Sequence, residues 1–380
     1  MNSEIPLDLF LFADNKPISE SQYESVMVGI KLIEGLHWRT RDYIEENGLD
    51  TEVFLPRNVW SQICNLDTFH KWPYSLVNVC KIASPFTGHY MAMWGRVDMG
   101  HLESEDVARF YEIIFSEGVP ANVDEILFKE FGLGERIEKY RVSLLESYDR
   151  LVDSVPDRFR VQTPDRMGEI GIRHDGNIVN FDTVTYQSRI NALFGMGIIE
   201  TLEKAILEEK RVCILEIGPG HCYMAYALQS ILGCKAQVIL VDLPRSLVHG
   251  YMYLAGIFGA DEIQIVDEET NKIGDKPFVL VPNYLLPKLE NQELNLDLTI
   301  NAISLNEMNR AQNEYYLDFI SENSKDGAFF HMEGGGKYLD EHVDSLELAR
   351  KRFPEHHFFL GSSIKGVDIQ NHPNTFYRIR

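Results

Sequence analysis

From residue 211 onward the chain alternates short apolar runs with amphipathic stretches. Residues 212–218, 238–243, 278–282, 296–303 and 327–333 read as buried strands, with a weaker strand at 262–266. Residues 221–233, 245–258, 309–323 and 341–352 read as helices, and 356–361 and 375–379 close the pattern as strands. Apolar strands separated by helices predict a largely parallel sheet with helices on both faces. The pattern before residue 165 is different. Residues 19–46 follow a helical period with Ser21 and Glu24 as a capping box, as do 57–83 (interrupted at Pro73), 104–116 and 121–154. Residues 168–182 read as a hairpin turning at Asp175-Gly176, and 183–209 as a helix. The expected division is a helical N-terminal domain over 1–165 and an α/β domain over 166–380.

Composition narrows the classes. The 380 residues exceed one average domain, and 44% apolar with 25% charged residues is ordinary globular usage. Lys plus Arg is 36 and Asp plus Glu 58, so 36 − 58 gives a net charge of −22. Such acidity argues against a nonspecific binder of duplex nucleic acid or anionic membranes. The five cysteines contain no C-x-x-C pair, which points away from a zinc finger or disulfide framework and towards a reducing compartment. No apolar run approaches the roughly 20 residues that span a bilayer, and residues 1–17 lack the basic start of a secretory signal. A cytoplasmic protein without a membrane span is expected.

The sharpest local signal is ILEIGPGHC at 214–222. A buried strand carries Glu216, and Gly218-Pro219-Gly220-His221 then turns into a helix, letting backbone approach a ligand closely. The next strand ends in Asp242-Leu243, and a carboxylate at that place accepts both hydroxyls of a ribose. A nicotinamide site would want glycine where this chain has Tyr223.

An acid-x-Gly-x-Gly turn after the first strand, with an acid ending the second, resembles class I methyltransferases that use S-adenosylmethionine. Cys222 stands where many of them have a further glycine. Three longer segments, NFDTVTYQSRINALFGMGIIETL (180–202), LEIGPGHCYMAYAL (215–228) and NAISLNEM (301–308), look like the sugar O-methyltransferase family of bacterial polysaccharide and nucleotide-sugar gene sets. The resemblance covers roughly residues 165–335. It implies a Rossmann-like methyltransferase sheet, S-adenosylmethionine as cofactor with S-adenosylhomocysteine as product, and a small-molecule or glycan acceptor. Another small-molecule acceptor, or a non-catalytic protein of the same fold, are the alternatives.

Methyl transfer to a hydroxyl needs an aligned acceptor and often a base. The resemblance places that base after strands four and five, where Glu307 is the first candidate and His331 the second. Glu307 also suits the N-terminus of the helix that follows. His221 and Ser304 lie at the cofactor turn and after the fourth strand, and Asn283, just past 278–282, suits an adenine edge. Tyr186, Gln187 and Arg189 lie on the helix before the first strand, where the Tyr hydroxyl or Arg fork suits a carboxylate. Gln187 and Arg189 are about 200° apart on a helix, so all three are not expected to face inward. Asp182 is expected to cap that helix. A metal stays open: Glu307 and Glu333 suit oxygen coordination but neither requires it. Phe86, His89, Tyr90 and Trp94 suit a sugar platform or a core, and apolar faces on the N-terminal helices suit a homodimer.

Overall fold

The computed structural model describes residues 16–56, 69–78, 80–81, 134–169, 171–270, 272–290, 292–334, 343–353, 355–359 and 374–379. The aromatic group Phe86, His89, Tyr90 and Trp94 and the helices expected at 104–116 and 121–133 lie outside these residues. In chain order the elements begin with α1 (Glu20–Glu46), α2 (Thr51–Phe54), α3 (Tyr74–Val77), α4 (Gly134–Val152), β1 (Ile172–His174) and β2 (Asn177–Val179). Next come α5 (Phe181–Gly195), α6 (Ile198–Leu207), β3 (Cys213–Ile217), α7 (Tyr223–Leu232), β4 (Gln237–Asp242) and α8 (Pro244–Phe258). Then follow β5 (Ile263–Ile265), β6 (Phe278–Pro282), β7 (Leu296–Ala302), α9 (Arg310–Asn323) and β8 (Ser324–Glu333). The chain closes with α10 (Ser345–Arg352), β9 (His356–Phe359) and β10 (Asn374–Arg378).

The described residues fall into two compact units, one of residues up to 24 with 71–191, the other of 25–70 with 192–361 and 371–380. The second unit holds an eight-stranded sheet in the order β5-β6-β4-β3-β7-β8-β10-β9. β5, β6, β4, β3, β7 and β8 are mutually parallel, and β10 runs antiparallel to both β8 and β9. From β3 the chain moves outward through β4 to β5 and β6, then returns to β7 on the other side of β3. Right-handed crossovers therefore place α7 and α8 on one face and α9 on the other. The reversal between β3 and β7 is the topological switch point, where such sheets bind ligands at their carboxyl edge.

Alternate residues of the central strands feed one core. Cys213, Leu215 and Ile217 of β3, Ile239 and Val241 of β4 and Val279 and Val281 of β6 pack with Leu36 and Ile44 of α1, Val53 and Phe54 of α2 and Phe319 and Ile320 of α9. Full burial of one such aliphatic side chain contributes roughly 1.5–3 kcal/mol, so this face dominates the unit's stability. Among the described residues no helix is long and apolar enough to cross a membrane.

The first unit holds the expected hairpin. His174 pairs with Asn177, leaving Asp175 (φ 48°) and Gly176 (φ 79°) as a two-residue turn with both residues left-handed. The cap of α1 differs from expectation: Ser19, not Ser21, accepts the Gln22 N–H (3.2 Å), and Gln22 returns a bond from the Ser19 N–H (3.0 Å). The single helix expected at 183–209 breaks at Gly197 (φ 67°) into α5 and α6.

Candidate functional site

At the end of β3 three residues in succession of two adopt left-handed backbone: Gly218 (φ 69°), Gly220 (φ 56°) and Cys222 (φ 64°). The Gly218 N–H donates to Val241 O of the next strand (2.9 Å), and the Cys222 N–H to Pro219 O (2.8 Å). A Cβ on Gly218 would lie 2.2 Å from Ser304 Oγ, whereas one on Gly220 would enter open space. Cys222 keeps the shape that glycine favours at that place, and its buried Sγ packs against bare Gly250 of α8. The sequence departure at 222 therefore changes the side chain and not the turn. Tyr223 is fully buried and stacks on Tyr253 with ring centres 6.1 Å apart, filling the place of a third dinucleotide glycine. His221 is buried edge-on to Tyr223 and Tyr253, which is a packing environment. Glu216 is buried one residue before the end of β3, level with Leu240 of β4 and Ile300 of β7.

Asp242 ends β4 and ties this turn to the neighbouring helix. Its Oδ2 accepts from the Gly220 N–H (3.4 Å) and Ser246 Oγ (2.9 Å), and its Oδ1 from the Leu243 N–H (2.7 Å). Burial pushes its carboxyl from 3.8 up to about 6, outweighing those three donors, and the Glu307 carboxylate pushes the same way. Glu307 and Asp242 thus share one electrostatic neighbourhood. Leu243 precedes Pro244 at the first position of α8.

Level with Asp242 on the next strand is Pro282, followed by Asn283. The Asn283 side chain is buried. Its Nδ2 donates to Phe54 O of α2 (2.9 Å), and its Oδ1 has no hydrogen-bond partner among the described residues. Two further amides hold α2: Asn309 Nδ2 donates to Glu52 O (2.8 Å) and Gln312 Nε2 to Val53 O (3.2 Å). Three consecutive carbonyls of a four-residue helix are therefore satisfied by side chains that follow β6 and β7. The sequence offered no signal for α2 at this edge, because its anchors lie over 200 residues away.

Across the switch point, Ser304 Oγ donates to Ile217 O (3.0 Å), and Asn301 Nδ2 reaches both Ser304 Oγ (2.5 Å) and Ile217 O (3.0 Å). Ile303 between them has φ 75°, a conformation a β-branched residue adopts only under constraint. Its N–H donates to Glu333 O (2.8 Å). Glu307 ends this short turn half-buried. His331 is fully enclosed within β8: its Nε2 is 2.7 Å from Asn374 Oδ1, and its ring stacks on Phe376. That is the setting of a structural histidine. Glu307 and Glu333 form no three-donor metal cluster among the described residues; one such group exists, Asp149, His174 and Asp175.

Tyr186 and Arg189 belong to the other unit. Tyr186, Gln187 and Arg189 are all buried, although they point to different sides of α5. Gln187 accepts the Val161 N–H (2.7 Å) and donates to Phe159 O (3.0 Å), while the Arg189 guanidinium lies over the Tyr186 ring at 4.6 Å. A helix buried all round escapes a one-face reading. The cap of α5 is Asn180, whose Oδ1 accepts the Thr183 N–H (2.8 Å). Asp182 is instead buried 3.3 Å from Lys81 Nζ, in an ion group with Glu169.

One buried charge cluster between α1 and α8 had no sequence signal. Arg245 of α8 is buried 3.6 Å from Glu34 of α1 and lies over the Phe69 ring at 4.9 Å. Beside it, burial and then the Arg245 charge hold His249 down at about 3.

Neither a protein-family model nor a curated protein sequence matches the chain. Among solved structures it is similar to the fibrillarin pre-rRNA processing protein of Methanococcus jannaschii, at 12% identity and TM-score 0.32 over 44% of this chain and 66% of that one. An O-methyltransferase family protein from Burkholderia thailandensis is similar at 7% identity and TM-score 0.34 over 52% and 60%. The chain thus spans less than two thirds of either of these two proteins. The fibrillarin of Aeropyrum pernix, solved with natively bound S-adenosyl-L-methionine, is similar at 13% identity and TM-score 0.35 over 55% and 80%. The architecture is a Rossmann-like α/β fold: a parallel sheet reversing at β3, with one antiparallel strand inserted before the edge.

Proposed function

We propose that the chain is an S-adenosylmethionine-dependent O-methyltransferase that acts on a sugar hydroxyl, in nucleotide-sugar or surface polysaccharide synthesis. The observation that carries the reading is Asp242, whose carboxylate bonds the Gly220 N–H of the left-handed turn while sharing the field of Glu307. The residues present fit the cofactor. The open space over Gly220 admits close approach, and the partnerless buried Asn283 Oδ1 is an acceptor for an exocyclic adenine amine. When bound, S-adenosylmethionine supplies an electrophilic sulfonium methyl.

The remaining chemistry belongs to the chain. Asp242 accepts the ribose hydroxyls in its ionised form. Glu307 takes the proton of the acceptor hydroxyl as its oxygen attacks. Ser304 and Asn301 hold the turn that carries Glu307 against the end of β3. On the acceptor side, α2 is fixed at the carboxyl edge by Asn283, Asn309 and Gln312. Exposed Val28, Leu32 and Trp38 of α1 suit a second copy of the chain, and the free thiols Cys80, Cys213, Cys222 and Cys234 suit the cytoplasm.

The sugar rests on the segments 180–202, 215–228 and 301–308. Calorimetric titration with S-adenosylmethionine, S-adenosylhomocysteine and NAD tests the class: binding of the two sulfur compounds and not NAD is expected, and NAD binding alone overturns it. A screen of nucleotide sugars against unrelated hydroxylated metabolites then tests the acceptor. Turnover confined to the latter overturns the sugar assignment while keeping the class.

A further inference from the structure

We propose that Asp149, His174 and Asp175 form a binding site for a divalent first-row transition ion such as Zn²⁺. The three donor atoms lie within 4.8 Å of one another. One imidazole nitrogen with two carboxylates is a donor set that suits zinc or manganese, and the imidazole disfavours calcium and magnesium. Asp149 comes from α4, His174 ends β1, and Asp175 is the first residue of the hairpin turn.

The fold holds these pieces together through the residues beside them. Asn177, opposite His174 in the hairpin, donates to the hydroxyl of Tyr148 (2.9 Å) and to Val161 O (3.0 Å). Its Oδ1 accepts the Thr163 N–H (2.9 Å). Tyr148 is the chain neighbour of Asp149, so one buried amide fixes the turn against the helix that supplies the other carboxylate. Such bracing is what keeps ligands in place before an ion arrives. His174 Nε2 already lies 2.7 Å from Asp149 Oδ1, which orients the ring. A tetrahedral zinc site keeps its donors about 3.4 Å apart, and rotation of the exposed Asp175 closes the remaining gap. Water would complete the coordination. Two carboxylates beside one imidazole favour a dication over an anion.

The test is calorimetric titration of the chelator-treated full chain with Zn²⁺, repeated with Co²⁺ and visible absorption. Because the chain has 12 His and 5 Cys, the informative quantity is the difference in equivalents between variants. Asp175→Asn keeps an exposed turn residue that tolerates left-handed backbone, so it leaves the fold intact. His174→Ala removes the nitrogen ligand. The proposal expects one equivalent lost in His174→Ala, weaker binding in Asp175→Asn, and a Zn²⁺-dependent rise in melting midpoint present only in the parent chain. Equal stoichiometry in parent and His174→Ala overturns it, as does absence of binding at about 100 µM Zn²⁺. S-adenosylmethionine binding, measured in parallel, is unaffected in either event.

Discussion

The hydroxyl of Ser304 stands where a side chain on Gly218 would begin, 2.2 Å from the Cβ that glycine lacks. The same hydroxyl donates to Ile217 O. The first glycine of the turn is therefore required twice, once by its left-handed φ of 69° and once by its neighbour across the switch point. Gly218→Ala should destabilise the protein by roughly 2–4 kcal/mol, the sum of backbone strain and a forced shift of Ser304. Ser304→Gly in that background should return the steric part. Urea unfolding of the two single variants and the double variant measures the coupling; simple additivity would mean the two residues do not meet.

Asp242 gives the cofactor site a pH dependence of known sign. Its folded carboxyl is raised to about 6, so the ionised form that accepts ribose hydroxyls is lost as pH falls through 6. Affinity for S-adenosylhomocysteine should fall by up to about tenfold per pH unit below that value. Asp242→Asn should bind weakly at every pH and lose the slope. Titrations between pH 5 and 8 decide this, and a wild-type slope in the variant would assign the dependence to another group.

His249 acts in the opposite sense on stability. Its folded pKa of about 3 lies below the ordinary 6.5, so the unfolded chain takes up the proton first as pH falls. The stability that its neutral form retains above 6.5 is lost by about 2 kcal/mol at pH 5. Half-buried His37, held at about 4, adds to the same trend, whereas Asp242 opposes it, since its raised carboxyl favours the folded state in acid. His249→Phe should flatten the fall in denaturation midpoint between pH 7 and 5. An unchanged slope would point to other groups.

Glu307 and His331 separate by kinetics. Glu307→Gln should lower turnover by about 10²–10⁴ while leaving S-adenosylmethionine affinity unchanged. His331→Asn should keep turnover and lose stability, because its ring stacks on Phe376 and bonds to Asn374. Full activity in Glu307→Gln would remove it as the base.

The α/β half was legible because its strands are buried on both faces and read as unbroken apolar runs. Residues 278–282 coincide with β6 to the residue. The Asp175-Gly176 turn was legible for a different reason, since few residue pairs tolerate two left-handed positions in a row. Elements held by distant partners were hidden. α2 is four residues long and depends on Asn283, Asn309 and Gln312, and the burial of Gln187 depends on Val161 and Phe159. The caps were misplaced by small offsets, Ser19 for Ser21 and Asn180 for Asp182, because neighbouring polar residues compete for the same N–H groups.

The place of β10 bears on how the chain reaches its fold. It is the last strand in sequence, yet it lies inside the sheet between β8 and β9, and in the described sheet β9 pairs with β10 alone. During synthesis β8 must wait as an open edge carrying Phe330 and Met332 until residues 374–378 have emerged. Such an edge is a template for wrong partners. A nascent or truncated chain lacking those residues should therefore be a client for chaperones and prone to aggregate, even though every residue of the glycine turn has already been made.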